Sequence, residues 1–349
     1  MAVQTLSPET HIKSTQSWGR YVIILVAIVG FVMAAEGLAA MIYQHIEFAT
    51  SYDAPRNPNF RRGWVEYTRP PATREPNERR IILISNSQGF LRERPEDEFV
   101  YASQLEMLLN QQADGSNYQV LNWSIPGGNA PEYILLAARA AAHDPDMILL
   151  VTYSQDFVED LHPIAFYISD ANRLGYLSDV RRYLPAEFIR QYAINDPLAW
   201  LEAHTYLGNM RNRLEIPQND SWTWEAREKR DRPRGLHRFK EWIEQAEREM
   251  QFLNDTLLAA LPDTPIVIVQ TPINDLAFTQ DSLNQAEQFI PRLQAHFESN
   301  PNVTILNASD IIAPETFYPD GVHFRPEGHR QFAEWLLPVV NNTLETISR

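Results

Sequence analysis

The sequence predicts an α/β protein: a doubly wound, parallel, five-stranded sheet with a helical insertion and an N-terminal transmembrane helix. Three observations carry this. Short continuous runs of apolar, β-branched residues recur along the chain, and helical patterns separate them, which is the signature of strands covered on both faces. Ahead of them lies one apolar run long enough to cross a bilayer.

That run is "YVIILVAIVGFVMAAEGLAAMIY", residues 21–43, apolar apart from Glu36. A hydrocarbon layer of roughly 30 Å needs about 20 such residues in a helix. A short tail, residues 1–20, precedes it. A cleaved signal peptide would have a shorter apolar core, although "MAAEGLAA" imitates a cleavage site. Glu36 lies in the second half of the span, where it can approach the interface or a partner. Lys13 and Arg20 precede the span and Arg56, Arg61 and Arg62 follow it, so the positive-inside count does not decide orientation. The acidic body favours a short cytoplasmic tail and an extracytoplasmic (periplasmic) domain.

Residues 44–78 hold five prolines (Pro55, Pro58, Pro70, Pro71, Pro76) and no sustained period, and are expected to form an extended linker. The body, residues 79–349, begins with "RRIILIS" (79–85), then a helix containing "YASQLEMLLNQQ". The second strand is "YQVLNW" (118–123), and a helix at about 130–143 leads to the third, "MILLVTY" (147–153). The fourth and fifth are "IVIVQ" (266–270) and "VTILN" (303–307), and "PEGHRQFAEWLLPVVNNTLETI" is a final helix. Between strands three and four, residues 157–238 exceed any ordinary crossover and are expected to be an insertion on the sheet's rim. "FKEWIEQAEREMQFLNDTLLAAL" after it is the regular crossover helix.

Composition narrows the function classes. Lys+Arg number 30 against Asp+Glu 45, a net charge of −15, which argues against nucleic acid because that partner needs a basic footprint. There are no cysteines, so disulfides, thiolate metal sites and a cysteine nucleophile are excluded. No metal or organic cofactor is implied. Zinc-protease, P-loop and dinucleotide-binding motifs are absent from the sequence.

In an open parallel sheet the loops at the carboxyl ends of the strands line the ligand crevice. After strand one comes "SNSQGF" with Ser87; after strand two, "SIPGGN" with Gly127 and Gly128; after strand three, "SQDF" with Gln155 and Asp156. After strand five, across a short loop, come Asp320 and His323. Acyl transfer needs this set: a hydroxyl nucleophile, an imidazole to take its proton, a carboxylate to orient the imidazole, and donors for the oxyanion. Taken singly, each has a duller role. Ser87 could cap a helix, the glycines could allow a turn, Gln155 and Asp156 could end a loop, and Asp320 could serve the "PDG" turn.

Together these residues resemble the SGNH (GDSL-type) hydrolase superfamily, as a membrane-anchored member. "DGVHFRPEGHRQFAEW" resembles the family's D-x-x-H block with its amphipathic helix. "LISNSQG" resembles the nucleophile block, "VLNWSIPGG" the glycine block and "YSQDF" the G-x-N-D block. The resemblance covers roughly residues 79–156 and 239–340. It implies a flavodoxin-like sheet with Ser87 as nucleophile, His323 as general base and then acid, and Asp320 as its orienter. Ser87, Gly127 and Gln155 would form the oxyanion hole. Two departures stand out: Ser85-Asn86 replaces Gly-Asp before the serine, and Gln155 replaces asparagine. An α/β-hydrolase would instead show G-x-S-x-G and a distant acid.

The resemblance implies a serine esterase or O-acyltransferase acting on ester-linked acyl groups, such as acetyl, of an envelope or secreted polysaccharide. The alternative is a non-catalytic binding or assembly component of a cell-envelope complex, with a protein partner on residues 157–238. Trp200, Tyr206, Trp222 and Trp224 in that insertion suit a sugar-binding wall, a lid, or an ordinary apolar core.

Overall fold

The protein is represented by a computed structural model that describes residues 15–50, 71–89, 99–112, 115–125, 128–157, 176–192, 205–207 and 243–347. Five strands, β1 (Glu78–Ser85), β2 (Asn117–Ser124), β3 (Met147–Thr152), β4 (Ile266–Gln270) and β5 (Val303–Asn307), form one sheet in the order β2-β1-β3-β4-β5. All four neighbouring pairs are parallel. The reversal of strand order beside β1 sets the crevice at the carboxyl ends of β1 and β3.

Strand periodicity explains the two helical layers. Side chains alternate between faces, so Ile82, Ile84, Ile148, Leu150, Ile266 and Ile268 enter one core while Ile81, Leu83, Leu149, Val151, Val267 and Val269 enter the other. Each fully buried Val, Leu or Ile contributes about 1.5–3 kcal/mol. The first core is closed by α3 (Ala130–Ala140), α6 (Ile243–Ala260) and α8 (Phe289–Phe297), and the second by α2 (Tyr101–Asn110) and α9 (Pro326–Ile347). A helix α7 (Gln280–Ala286) precedes α8 in the β4–β5 crossover.

The region expected to be a rim insertion is partly core. Its described helices α4 (Leu177–Arg181) and α5 (Ala186–Gln191) contribute Val180 and Phe188, with Tyr176 and Leu184 beside them, to the layer of α3 and α6. The Arg139 guanidinium lies 4.2 Å from the centre of the Tyr176 ring, and Tyr192 Oη donates to Glu249. Trp200, Trp222 and Trp224 lie outside the described residues.

The last residues of the expected linker are also fixed in place. Arg74 donates to the Glu78 carbonyl at 3.2 Å and to Asp144 at 3.1 Å, and pairs with Asp146. Beside it the buried Arg80–Glu78 pair closes at 2.6 Å, and Arg80 donates to the His143 carbonyl at 2.7 Å. These contacts lie at the amino end of β1. The chain thus enters the domain at the sheet edge opposite the carboxyl-end loops.

The N-terminal helix α1 spans Thr15–Thr50, and its segment Trp18–Ile42 is long and apolar enough to cross a membrane. Large apolar residues such as Ile23, Leu25, Phe31 and Met33 are exposed along it, as lipid-facing side chains would be.

Candidate active site

Ser87 follows β1 and opens a single 3-10 turn, Ser87–Gly89. Capping there belongs to its neighbour: Asn86 Oδ1 accepts the Gln88 amide at 2.9 Å. Gly89 closes the turn because a Cβ there would fall 1.8 Å from Ser124 Oγ. The Gln88 side chain, fully buried, donates to the Val322 carbonyl at 2.9 Å and to Pro272 at 3.4 Å. One side chain thereby joins the loop after β1 to those after β4 and β5.

The loop after β5 carries the acid and the imidazole. Asp320 Oδ1 accepts the amides of Val322 (3.0 Å) and His323 (2.9 Å), which leaves Oδ2 facing His323 Nδ1 at 2.8 Å. His323 Nε2 lies 2.8 Å from Ser87 Oγ. Asp320 is buried, whereas the His323 side chain retains 13% exposure. With Nδ1–H donating a hydrogen bond to Asp320, Nε2 is left to accept the proton of the serine.

This loop turns at Gly321, whose φ of +73° favours glycine. A Cβ there would sit 2.2 Å from Ala277 Cβ, and the Gly321 carbonyl accepts the Asn274 amide at 2.9 Å. Gly321→Ala is expected to destabilise the fold by roughly 2–4 kcal/mol, combining left-handed strain and overpacking. Urea unfolding checks this; an unchanged midpoint would show that the turn relaxes freely.

The loop after β3 supplies a second buried carboxylate. Asn86 Nδ2 donates to both oxygens of Asp156 (2.9 and 3.0 Å), and Oδ2 also accepts Tyr133 Oη (2.8 Å), Thr152 Oγ1 (2.8 Å) and the Tyr153 amide (3.2 Å). Burial pushes its carboxyl from the ordinary 3.8 up to about 7, against the pull of these donors. Burial and the same carboxylate also raise the Tyr133 phenol well above its usual range. Asn86 is thereby held from both sides, by Asp156 at its amide and Gln88 at its oxygen. The sequence departure before the serine thus has a partner: the amide of Asn86 matches a carboxylate across the crevice.

Gln155 Oε1 accepts Tyr153 Oη at 2.9 Å, which identifies the other end of the amide as the donor. Neither the Ser87 amide nor Gln155 Nε2 has a hydrogen-bond acceptor among the described residues. Gly127 lies outside the described residues; Gly128 follows it, with its amide donating to the Ile125 carbonyl at 2.9 Å. Ser87, His323 and Asp320 are brought together, therefore, while the expected Gly127 donor is not placed. The roles of Asn86, Gln88 and Asp156 escaped the sequence reading, since only the fold reveals that Asp156 faces Asn86.

Among the described residues no group of three or more His, Asp or Glu side chains is arranged to hold a metal. A surface depression of about 520 Å³ lined by Phe297, Asn300 and Val303 lies at the amino end of β5, away from Ser87.

No family model matches the chain, and no curated protein matches it. Among solved structures it is similar to a carbohydrate acetylesterase family member from Sinorhizobium meliloti, at 15% identity and a TM-score of 0.39, covering 76% of this chain and 99% of that one. It is also similar to a variant of Axe2, an acetyl-xylooligosaccharide esterase from Geobacillus Stearmophilus, at 14% identity and a TM-score of 0.39, covering 74% and 93%. A further match is Est24, a carbohydrate acetylesterase from Sinorhizobium meliloti, at 10% identity and a TM-score of 0.38, covering 76% and 99%. The chain's own sheet is open and all-parallel, with Ser87 in the loop after β1 and Asp320-x-x-His323 in the loop after β5.

Proposed function

We propose that this chain is a membrane-anchored serine esterase or O-acyltransferase of SGNH type, with its domain on the extracytoplasmic side. The observation that carries the proposal is the continuous Ser87–His323–Asp320 chain, 2.8 Å at each link between side chains. As Ser87 Oγ attacks an ester carbonyl, His323 Nε2 takes its proton and Asp320 stabilises the imidazolium. The amide of Ser87, the Gln155 side chain and Gly127 would receive the developing oxyanion. His323 then returns the proton to the leaving alkoxide, giving an acyl-enzyme. Water as second acceptor makes an esterase, and a sugar hydroxyl makes an acyltransferase. The acyl group we favour is acetyl on a polysaccharide of the envelope or a secreted one.

Release of acetate from 4-nitrophenyl acetate and from an acetylated oligosaccharide tests this. The full chain should hydrolyse at least one of them, and Ser87→Ala should lower the rate by about 10³-fold or more. Equal rates for the two proteins would overturn the proposal. Adding an unacetylated oligosaccharide separates transfer, seen as a new acetylated product, from hydrolysis.

A further inference from the structure

The apolar helix α1 carries one acid in its span, and that acid has partners. The carboxyl of Glu36 accepts the backbone amides of Tyr206 (2.5 Å) and Leu207 (3.1 Å). Burial along α1 is confined to the same place: Ala35, Glu36 and Ala40 are half-buried and Ala39 is 3% exposed, while the rest of Trp18–Ile42 is exposed. A pair of directed hydrogen bonds and a local loss of exposure on small residues that allow close approach thus mark one patch.

The depth of this patch fits a membrane surface. The span Trp18–Ile42 is about 37 Å long at 1.5 Å per residue, longer than a hydrocarbon layer of roughly 30 Å. Glu36 lies about 9 Å along the axis from Ile42, which puts it a few ångströms inside the boundary on the side of the folded domain. A carboxyl group at that depth is costly unless something satisfies it. The amides of Tyr206 and Leu207 do so, and Leu207 keeps 40% of its surface exposed.

We infer that residues 205–207 dock on the membrane helix at Glu36 and hold the domain against the bilayer surface. The domain is then joined to its anchor twice: by the chain, which enters at the amino edge of the sheet, and by this contact from the segment between β3 and α6. The inference rests on α1 being retained as a membrane span.

The absence of cysteine allows a direct test. The full chain carrying Leu207→Cys is labelled with bimane and reconstituted into phosphatidylcholine vesicles containing headgroup spin-labelled lipid. Strong quenching is expected with Glu36, falling several-fold in Glu36→Ala and less in Glu36→Gln, which keeps an acceptor oxygen. Flotation with the vesicles is scored in parallel. Protein that does not float overturns the membrane span itself, and the inference with it. Protein that floats but shows equal quenching, or none, in all three overturns the docking alone.

Discussion

Asp320→Asn is expected to lower kcat by about 10⁴ with little change in stability. An asparagine can keep its oxygen on the amides of Val322 and His323, so the turn survives. Its NH2 group then takes the place of Oδ2, 2.8 Å from His323 Nδ1, and presents a donor where an acceptor stood. Nδ1 must become the acceptor, and the ring proton moves to Nε2, the atom facing Ser87 Oγ. The base then points its own proton at the nucleophile. Measuring kcat beside the thermal midpoint separates this from unfolding. A loss of less than about tenfold would mean that His323 does not act through Asp320.

Asp156→Ala is expected to cost roughly 1–3 kcal/mol of stability at pH 5, because the buried Asn86 amide loses the carboxylate it donates to. The Tyr133 and Thr152 hydroxyls can rotate away, so they add less. The pH dependence has a definite sign. The folded carboxyl holds its proton to about pH 7 and the unfolded one only to the ordinary 3.8, so the folded state binds more protons between them. Wild-type stability relative to Asp156→Ala should therefore fall as pH rises from about 4 to about 7 and level off above. Urea titrations across that range measure it, and a gap that widens with pH would contradict the burial argument. Release of Asn86 also frees the turn that carries Ser87, so the variant should lose about 10²-fold in acylation rate even where it is folded.

Much of the fold was legible because buried parallel strands are continuous apolar runs. "IVIVQ" and "VTILN" coincide with β4 and β5, and the last helix has its expected bounds, Pro326–Ile347. The β4–β5 crossover was not read as α7 and α8: its segment "DSLNQAEQFIPRLQAHF" carries Pro291 in the first turn of α8 and a break at Glu287–Gln288 that blurs the period. The proline content of 44–78 suggested an extended linker throughout, whereas α1 runs on to Thr50 and Arg74 fastens the other end to the sheet through charges distant in sequence.

The site divides in the same way. That Ser87, Asp320 and His323 lie at one edge was readable because their order follows the strand ends and the acid and imidazole share one loop. What holds them was not, since the Gln88 contact to Val322 and the Asn86 contact to Asp156 join residues 234 and 70 positions apart. Glu36 was recognisable as an acid needing a partner, but its partners are backbone amides, which no side-chain pattern announces.

The proposed chemistry requires Ser87 to be an activated nucleophile. Reaction of the full chain with a fluorophosphonate probe, followed by peptide mass spectrometry, tests it most directly. A single adduct on Ser87 is expected, absent in Ser87→Ala and reduced by about 10³-fold or more in His323→Ala. Folded protein that takes up no label, or label retained in Ser87→Ala, would contradict it.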